Sequence, residues 1–323
     1  MYTALTWSAR ICAVVGYVAT AVACAWLLGM AALAPPHTVP LVWGGVAATC
    51  AVVRTAALWG VRSVKPRVSL AKPASASRYD QAMVDLSFDN SPSWVKARTC
   101  GMWALVAFAA GALFVPVVSG SPGQTISALQ KAGATVSTAV VVEAPSSVEK
   151  DLSEDIVRGY YANLVVSVPD GPGRLSVHRA YTRDRPHQGA SVEVLWSPSA
   201  PRIGGVVHER RDLHLYAQPR WEAFPDSAGG RDALFALIIV TFVGLVIGLL
   251  ITLGSDSEAL QELAWSPVAQ TVRAVVIVGL YLAWLPMLTA HKLSGLTGLF
   301  AASGFMTVLL VYCFTSVRAI GEG

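Results

Sequence analysis

The chain has 323 residues, of which 54% are hydrophobic and only 14% charged. A soluble domain carries about 25% charged residues, so the composition argues against an ordinary water-soluble protein and points to the membrane class. The formal net charge of +4 is too small to indicate nucleic acid as a partner; where the basic residues fall along the chain is more informative.

The first apolar stretch, from Ile11 to about Leu33, follows Arg10. It is long enough to cross a hydrocarbon core of about 30 Å. A cleaved signal peptide fits less well: its apolar region would span only about 7–15 residues, and Pro35 and Pro36 follow the Ala32–Ala34 triplet that resembles a cleavage site. The segment 34–40 has no Lys or Arg. A second span, Leu41–Val61, contains Arg54. An ionisable residue inside a span is a functional candidate, set here against a side chain that snorkels to the nearer interface.

Residues 62–98 carry seven basic and three acidic residues, the signature of a cytoplasmic loop. Within it, residues 71–77 read as a flexible linker and Tyr79–Phe88 as a short amphipathic helix at the bilayer surface. The third span, Thr99–Val118, brings the chain out again. After a long polar insert come a fourth span (Asp232–Leu253), a short acidic loop with Asp256, Glu258 and Glu262, a fifth span (Val272–Thr289) that Pro286 should kink or end, and a sixth (Ser294–Val317). Gly244 and Gly248 in the fourth span have the GxxxG spacing that lets helices approach closely, for packing within the chain or pairing of two copies in a homo-oligomer. Arg10, residues 62–98, Arg273 and Arg318 then fall on the cytoplasmic side, with Lys292 alone against the rule. The five cysteines (Cys12, Cys24, Cys50, Cys100, Cys313) all lie in or beside apolar stretches without a CxxC pair and read as packing residues. No cofactor is implied.

The insert, residues 120–231, contains twelve basic and twelve acidic residues. Alternating runs predict strands at 134–143, 159–168, 174–181 and 190–196, and one long or two short strands over 203–216. The stretch 149–155, after a capping-box spacing of Ser146 and Glu149, reads as a short helix or a solvated loop. Pro169–Gly173 is a strong turn signal. Five or six short strands in about 90 residues favour a small barrel or sandwich. Trp221 and Phe224, just before the fourth span, suit an interfacial aromatic belt.

The runs "GATVSTAVVVEA", "YYANLVVSVPDGPGR" and "HQGASVEVLWSPSAP" occur in that order. The last fits G-x-x-V-x-V-x-[YW]-x-P-x-x-P over Gly189–Pro201. Together they resemble a small extracytoplasmic β-domain family of unknown function found in bacterial polytopic membrane proteins, across residues ~134–203. The resemblance implies a fold and supplies no active residues. The acidic segment between the first two strands departs from the pattern.

Candidate sites in the insert are few. His208, Asp212 and His214 would project to one face if 203–216 were a strand, giving a conceivable metal cluster, although the spacing matches no standard zinc pattern. Arg179, Arg183, Arg185 and His187 form a basic cluster for an anionic ligand or partner, or simply an exposed loop. No nucleophile elbow supports a Ser-His-Asp site, and no phosphate-binding loop appears.

The expectation is therefore an α-helical integral membrane protein of the cell (plasma) membrane with six transmembrane helices, three in residues 1–119 and three in 232–323. Both termini are cytoplasmic, and an all-β extracytoplasmic domain occupies 120–231. Its expected role is non-enzymatic: presenting the β-domain to a protein partner or envelope ligand in assembly, sensing or scaffolding, with the lipid bilayer as surroundings and no nucleic acid. The alternative is a small-solute channel or permease with a polar path at Arg54 and the β-domain as a cap. A hydrolase using His208 or His214 ranks third.

Overall fold

The computed structural model describes residues 2–30, 33–64, 92–119, 124–145, 147–153, 156–169, 171–224, 230–289 and 295–321. The expected linker at 71–77, the amphipathic helix Tyr79–Phe88, residues 120–123, Ser146 and Lys292 lie outside these. The chain divides into a helical unit (Met1–Leu27, Thr38–Val117, Leu234–Gly323) and a second unit (Leu28–His37, Val118–Ala233).

In the helical unit, α1 (Tyr2–Leu27) and α2 (Thr38–Val64) pair closely where Gly16 meets Cys50 and Gly60 meets Leu5. They are followed by α3 (Pro92–Ser119) and, beyond the second unit, by α6 (Gly230–Gly254), α7 (Ser257–Trp265), α8 (Pro267–Thr289), α9 (Gly295–Ala302) and α10 (Gly304–Gly321). Five of these helices are long and apolar enough to cross a membrane, and the α9–α10 pair would make six if counted as one span. Phe235, Phe242 and Leu250 on α6 are 66%, 66% and 67% exposed, an outward apolar face suited to lipid rather than water.

Several boundaries differ from the sequence reading. The first helix begins at Tyr2 and stops at Leu27, short of Pro35. The acidic loop holds a helix, α7, whose Leu260 and Leu263 are buried; Glu258 in its first turn suits the helix dipole. The helix α8 starts at Pro267, where proline is favoured as a first helical residue, and it carries Pro286 three residues before its end. The sixth span is broken between Ala302 and Gly304 with a bend of 63°. The break falls at Ser303–Gly304, and Ser/Gly pairs are a recognised cause of sharp kinks. The Ser303 hydroxyl donates to the Leu299 carbonyl (2.9 Å).

The core of this unit gathers Trp103, Val106, Ala110, Leu280, Val308, Leu309 and Tyr312. Gly244 faces Ala107 and Leu309, and Gly248 faces Trp103, so both glycines serve contacts inside the chain.

The second unit places α4 (Gln124–Lys131) before the strands β1 (Thr135–Glu143), β2 (Val148–Ser153), β3 (Ile156–Ser167), β4 (Leu175–Thr182) and β5 (Ser191–Trp196), with α5 (Leu213–Ala217) after them. All pairings between these strands are antiparallel. The long β3 takes β4 on one edge; on its other edge it takes β2 against its first half and β1 against its second. The strand β1 also pairs with β5. Residues 205–208 then bridge β4 to β5 through Gly205–Val177, His208–Tyr181 and Val206–Leu195. The sheet thereby closes into a small barrel-like ring.

Inward positions follow the strand period: Ala139 and Val141, Ala162, Leu164 and Val166, Leu175 and Val177, and Val192, Val194 and Trp196 form one core. The outer face at Leu195 is covered by Ile126 and Leu129 of α4 and by Leu213 and Tyr216 of α5. Val192, Val194 and Trp196 belong to the Gly189–Pro201 motif, and Gly189 has φ +83°, so these motif residues act in packing and turning.

The stretch 149–155, read as helix or loop, forms strand β2 over Val148–Ser153 and pairs with β3. The expected strands over 203–216 are replaced by a short 3-10 turn at Pro201–Ile203, the bridging residues 205–208, and the helix α5. The cause is local: Asp212 sits at the N-cap and accepts a hydrogen bond from the His214 backbone N–H (2.9 Å), which turns the chain into a helix.

A β-carbon at Gly248 would lie 2.4 Å from the Trp103 β-carbon. Gly248→Ala should therefore destabilise the helical unit by about 1–3 kcal/mol, read as a lower unfolding midpoint in detergent. Gly101→Ala, where nothing lies within 4 Å, should be neutral or stabilise through helix propensity.

Candidate functional site

The residues considered for a metal are not on one strand face. His208 lies in the bridging segment and stacks on Tyr181, with ring centroids 4.9 Å apart and planes 21° apart. Asp212 caps α5, and His214 stands exposed in that helix. No group of three or more metal-ligating side chains occurs among the described residues. The expected His/Asp/His convergence fails because the chain turns between 209 and 212.

His208 is instead a packing residue under electrostatic load. Its Nδ1 is buried without a hydrogen-bond partner among the described residues. Burial, then the nearby Arg211 and Arg210 charges, lower its pKa from 6.5 to about 4. Beneath it, the Tyr181 hydroxyl lies 2.9 Å from the Arg158 carbonyl and 3.2 Å from the Asp151 carboxylate. The Arg210 guanidinium covers the Tyr181 ring at 5.2 Å.

The four basic candidates Arg179, Arg183, Arg185 and His187 are all exposed, and none has an ion pair among the described residues. Arg179 is the most constrained. It has φ +53° at an irregularity in the β3–β4 register, and its N–H donates to Asn163 Oδ1 (2.9 Å). The extra residue explains why Leu175, Val177 and then Ala180 all face the core. Such a bulge re-aims side chains, and here it sets the Arg179 guanidinium 5.3 Å over the Tyr161 ring. The Arg183 backbone N–H is held by the Glu209 carboxylate at 2.6 Å.

The helical unit contains a second candidate. A cavity of about 190 Å³ is lined by residues of α1, α2, α3, α8 and α10, including Tyr17, Arg54, Gln270, Arg273, Tyr281 and Tyr312. Arg54 does not run along its own helix to an interface: its Nη2 donates to the Ala264 carbonyl in the last turn of α7 (3.0 Å), where the helix dipole favours a cation. The sequence alone puts Arg273 at the edge of a span, among the basic residues expected on the cytoplasmic side. With α8 starting at Pro267 it is the seventh residue of the helix and only 3% exposed. Its Nη2 donates to Ser316 Oγ (3.0 Å), and its guanidinium lies 4.6 Å from the Tyr312 ring centroid. Among the described residues, the Nε atoms of both arginines are buried without partners, and no Asp or Glu lines the cavity. The Ser266–Pro267 pair was the sequence signal that would have placed Arg273 inside the helix.

Helices of this length and apolarity, with a separate antiparallel β-unit, are compatible with a multi-pass membrane protein. No protein-family model matches the chain, and no curated protein or solved structure does.

The depressed pKa of His208 has a signed consequence. Below about pH 6.5 the unfolded chain takes up a proton that the folded chain refuses until about pH 4. Stability should therefore be independent of this group above pH 6.5 and fall as pH drops towards 4, by up to about 1.4 kcal/mol per pH unit. Denaturant unfolding of the full-length protein across that window should show His208→Phe, which keeps the ring stack, falling less steeply than wild type. Parallel slopes would contradict the assignment.

Proposed function

We propose that the protein is a non-enzymatic multi-pass protein of a bacterial cell membrane that presents its β-unit outside the cytoplasm to a protein partner or envelope ligand. The observation that carries this reading is an exposed arginine held over a partly buried tyrosine on the β-unit. Arg179 is held in a left-handed conformation over Tyr161. Arginine and tyrosine dominate the energetics of protein interfaces, and a residue kept in an unfavourable backbone conformation is a reasonable pointer to function. The resemblance of residues ~134–203 to extracytoplasmic β-domains supports the same placement.

The topology rests on Arg62 and Arg318 in the last turns of α2 and α10, Lys96 and Arg98 in the first two turns of α3, and Arg10 in the first half of α1, which favour a cytoplasmic location for both termini. Arg273, being buried, no longer contributes to that count. The channel or permease alternative draws on the cavity beside Arg54. Among the described residues its wall carries two guanidiniums and no carboxylate, which suits a held anion better than a cation-coupled carrier.

Deleting residues 124–226 should abolish partner capture by crosslinking in intact membranes while leaving the helices inserted; full biological activity of that deletion would sink the reading. Arg179→Gly keeps the bulge and relieves the left-handed conformation, a cost of roughly 1–2 kcal/mol. It should leave the β-unit at least as stable yet weaken partner capture, and unchanged capture would remove Arg179 from the binding surface.

A further inference from the structure

The cavity in the helical unit has a direction. On α8 its lining runs from Gln270 to Leu288, eighteen residue steps or about 27 Å at 1.5 Å per residue. Contacts fix which ends coincide. Thr55 of α2 donates to the Gln270 carbonyl of α8, Trp59 donates to Thr271, and Gly16 of α1 meets Cys50 of α2. Arg54, Gln270, Arg273 and Tyr17 therefore share one end. Beyond them the wall is largely apolar, with Leu27, Ala109, Leu113, Ile277, Leu280 and Leu288. A volume of about 190 Å³ spread over that length makes a narrow shaft, smaller than the roughly 300–1,000 Å³ of pockets that take compact drug-sized ligands.

The cationic end is incompletely satisfied from within the protein. Arg273 is 3% exposed, its Nε has no partner, and neither it nor Arg54 forms an ion pair among the described residues. Buried cations call for a counter-charge, and guanidiniums offer paired donors that match phosphate and carboxylate oxygens. We propose that this cavity binds an anionic amphiphile, its phosphate or carboxylate head on Arg54 and Arg273 and one acyl chain along the apolar shaft. Gln270 and the Tyr17 ring complete the head end, and the surrounding leaflet supplies the ligand. A structural role alone, with Arg54 on the Ala264 carbonyl and Arg273 on Ser316, would account for one donor of each guanidinium and leave the shaft unexplained.

The test uses the full-length protein, purified in detergent, stripped of lipid and titrated with dioleoyl phosphatidylglycerol, dioleoyl phosphatidylcholine or inorganic phosphate, with bound lipid counted by native mass spectrometry. One phosphatidylglycerol per chain should be retained in preference to phosphatidylcholine. The Arg54→Gln/Arg273→Gln double variant should lose about tenfold or more in affinity, as expected when charge-assisted hydrogen bonds are removed. Ala23→Leu, which narrows the shaft and leaves both arginines in place, should weaken dioleoyl phosphatidylglycerol more than its dihexanoyl analogue. That single variant decides the question if the double variant does not fold. Equal retention of the two lipids, undiminished binding by both variants, or displacement of phosphatidylglycerol by equimolar inorganic phosphate would overturn the proposal, the last by making the site one for a soluble anion. The inference needs the helices to lie in a bilayer, not the partner-binding role of the β-unit. Resistance of the protein to carbonate extraction reads the first separately, so a chain that is not embedded and an empty cavity are told apart.

Discussion

A polar group removed from water must find its partner inside the protein, at a cost of about 1–3 kcal/mol if it does not. In the helical unit this requirement is met chiefly by short-range bonding. Thr20, Thr55, Thr252, Ser255, Thr271, Thr315 and Ser316 each turn their hydroxyl back to the carbonyl four residues earlier, at 2.6–2.8 Å. Hydroxyls satisfied in this way leave helix faces free to pack or to meet lipid. The groups that cannot be satisfied locally then stand out. Arg54 and Arg273 reach across to other helices and, among the described residues, find no partner for Nε; the indole nitrogens of Trp103 and Trp284 find none there either.

The same requirement shapes the β-unit by another route. Strand edges carry rows of donors and acceptors that need covering. The segment 205–209 does this between β4 and β5: Gly205 bonds to Ser176, Tyr181 to Val207, Glu209 to Tyr181, and Leu195 and Val206 exchange two bonds, all at 2.9–3.1 Å. Gly204 and Gly205 allow the approach, since a β-carbon on Gly204 would come within 2.7 Å of the Ser176 carbonyl oxygen. Closure has consequences for the surface. It brings His208 against Tyr181, and the bulge that fits β4 to β3 turns Arg179 onto Tyr161. The stack of His208 on the buried Tyr181 is thus a product of how the ring closes, and the Arg179–Tyr161 pair a product of the bulge.

Sequence periodicity is enough to locate most of the described helices and four of the five described strands, because each buries an apolar face at a characteristic spacing. The stretch Ser191–Trp196 is a clear case: alternation places Val192, Val194 and Trp196 inward before any contact is known. Periodicity failed where capping or pairing overrode it. Val148–Ser153, rich in charge, is a strand only because β3 offers it an edge. The run 203–216 looked extended, yet Asp212 stops the extension with one side-chain hydrogen bond. Leu195 is buried although it points away from the barrel interior, since α4 and α5 cover that face.

The sequence by itself determined that the chain has several apolar helices flanking a charged β-rich insert, and that Arg54 is an unusual residue in its place. Composition and period carry such information because burial is a property of each segment. Which polar groups meet was decided only by tertiary structure. Arg273 joined Arg54 because α8 begins at Pro267 and packs antiparallel to α2. His208, Asp212 and His214 parted because the chain turns between them. Distances between residues far apart in sequence depend on helix starts, bulges and closing segments, and a change of one turn in any of these redistributes the side chains that share a site.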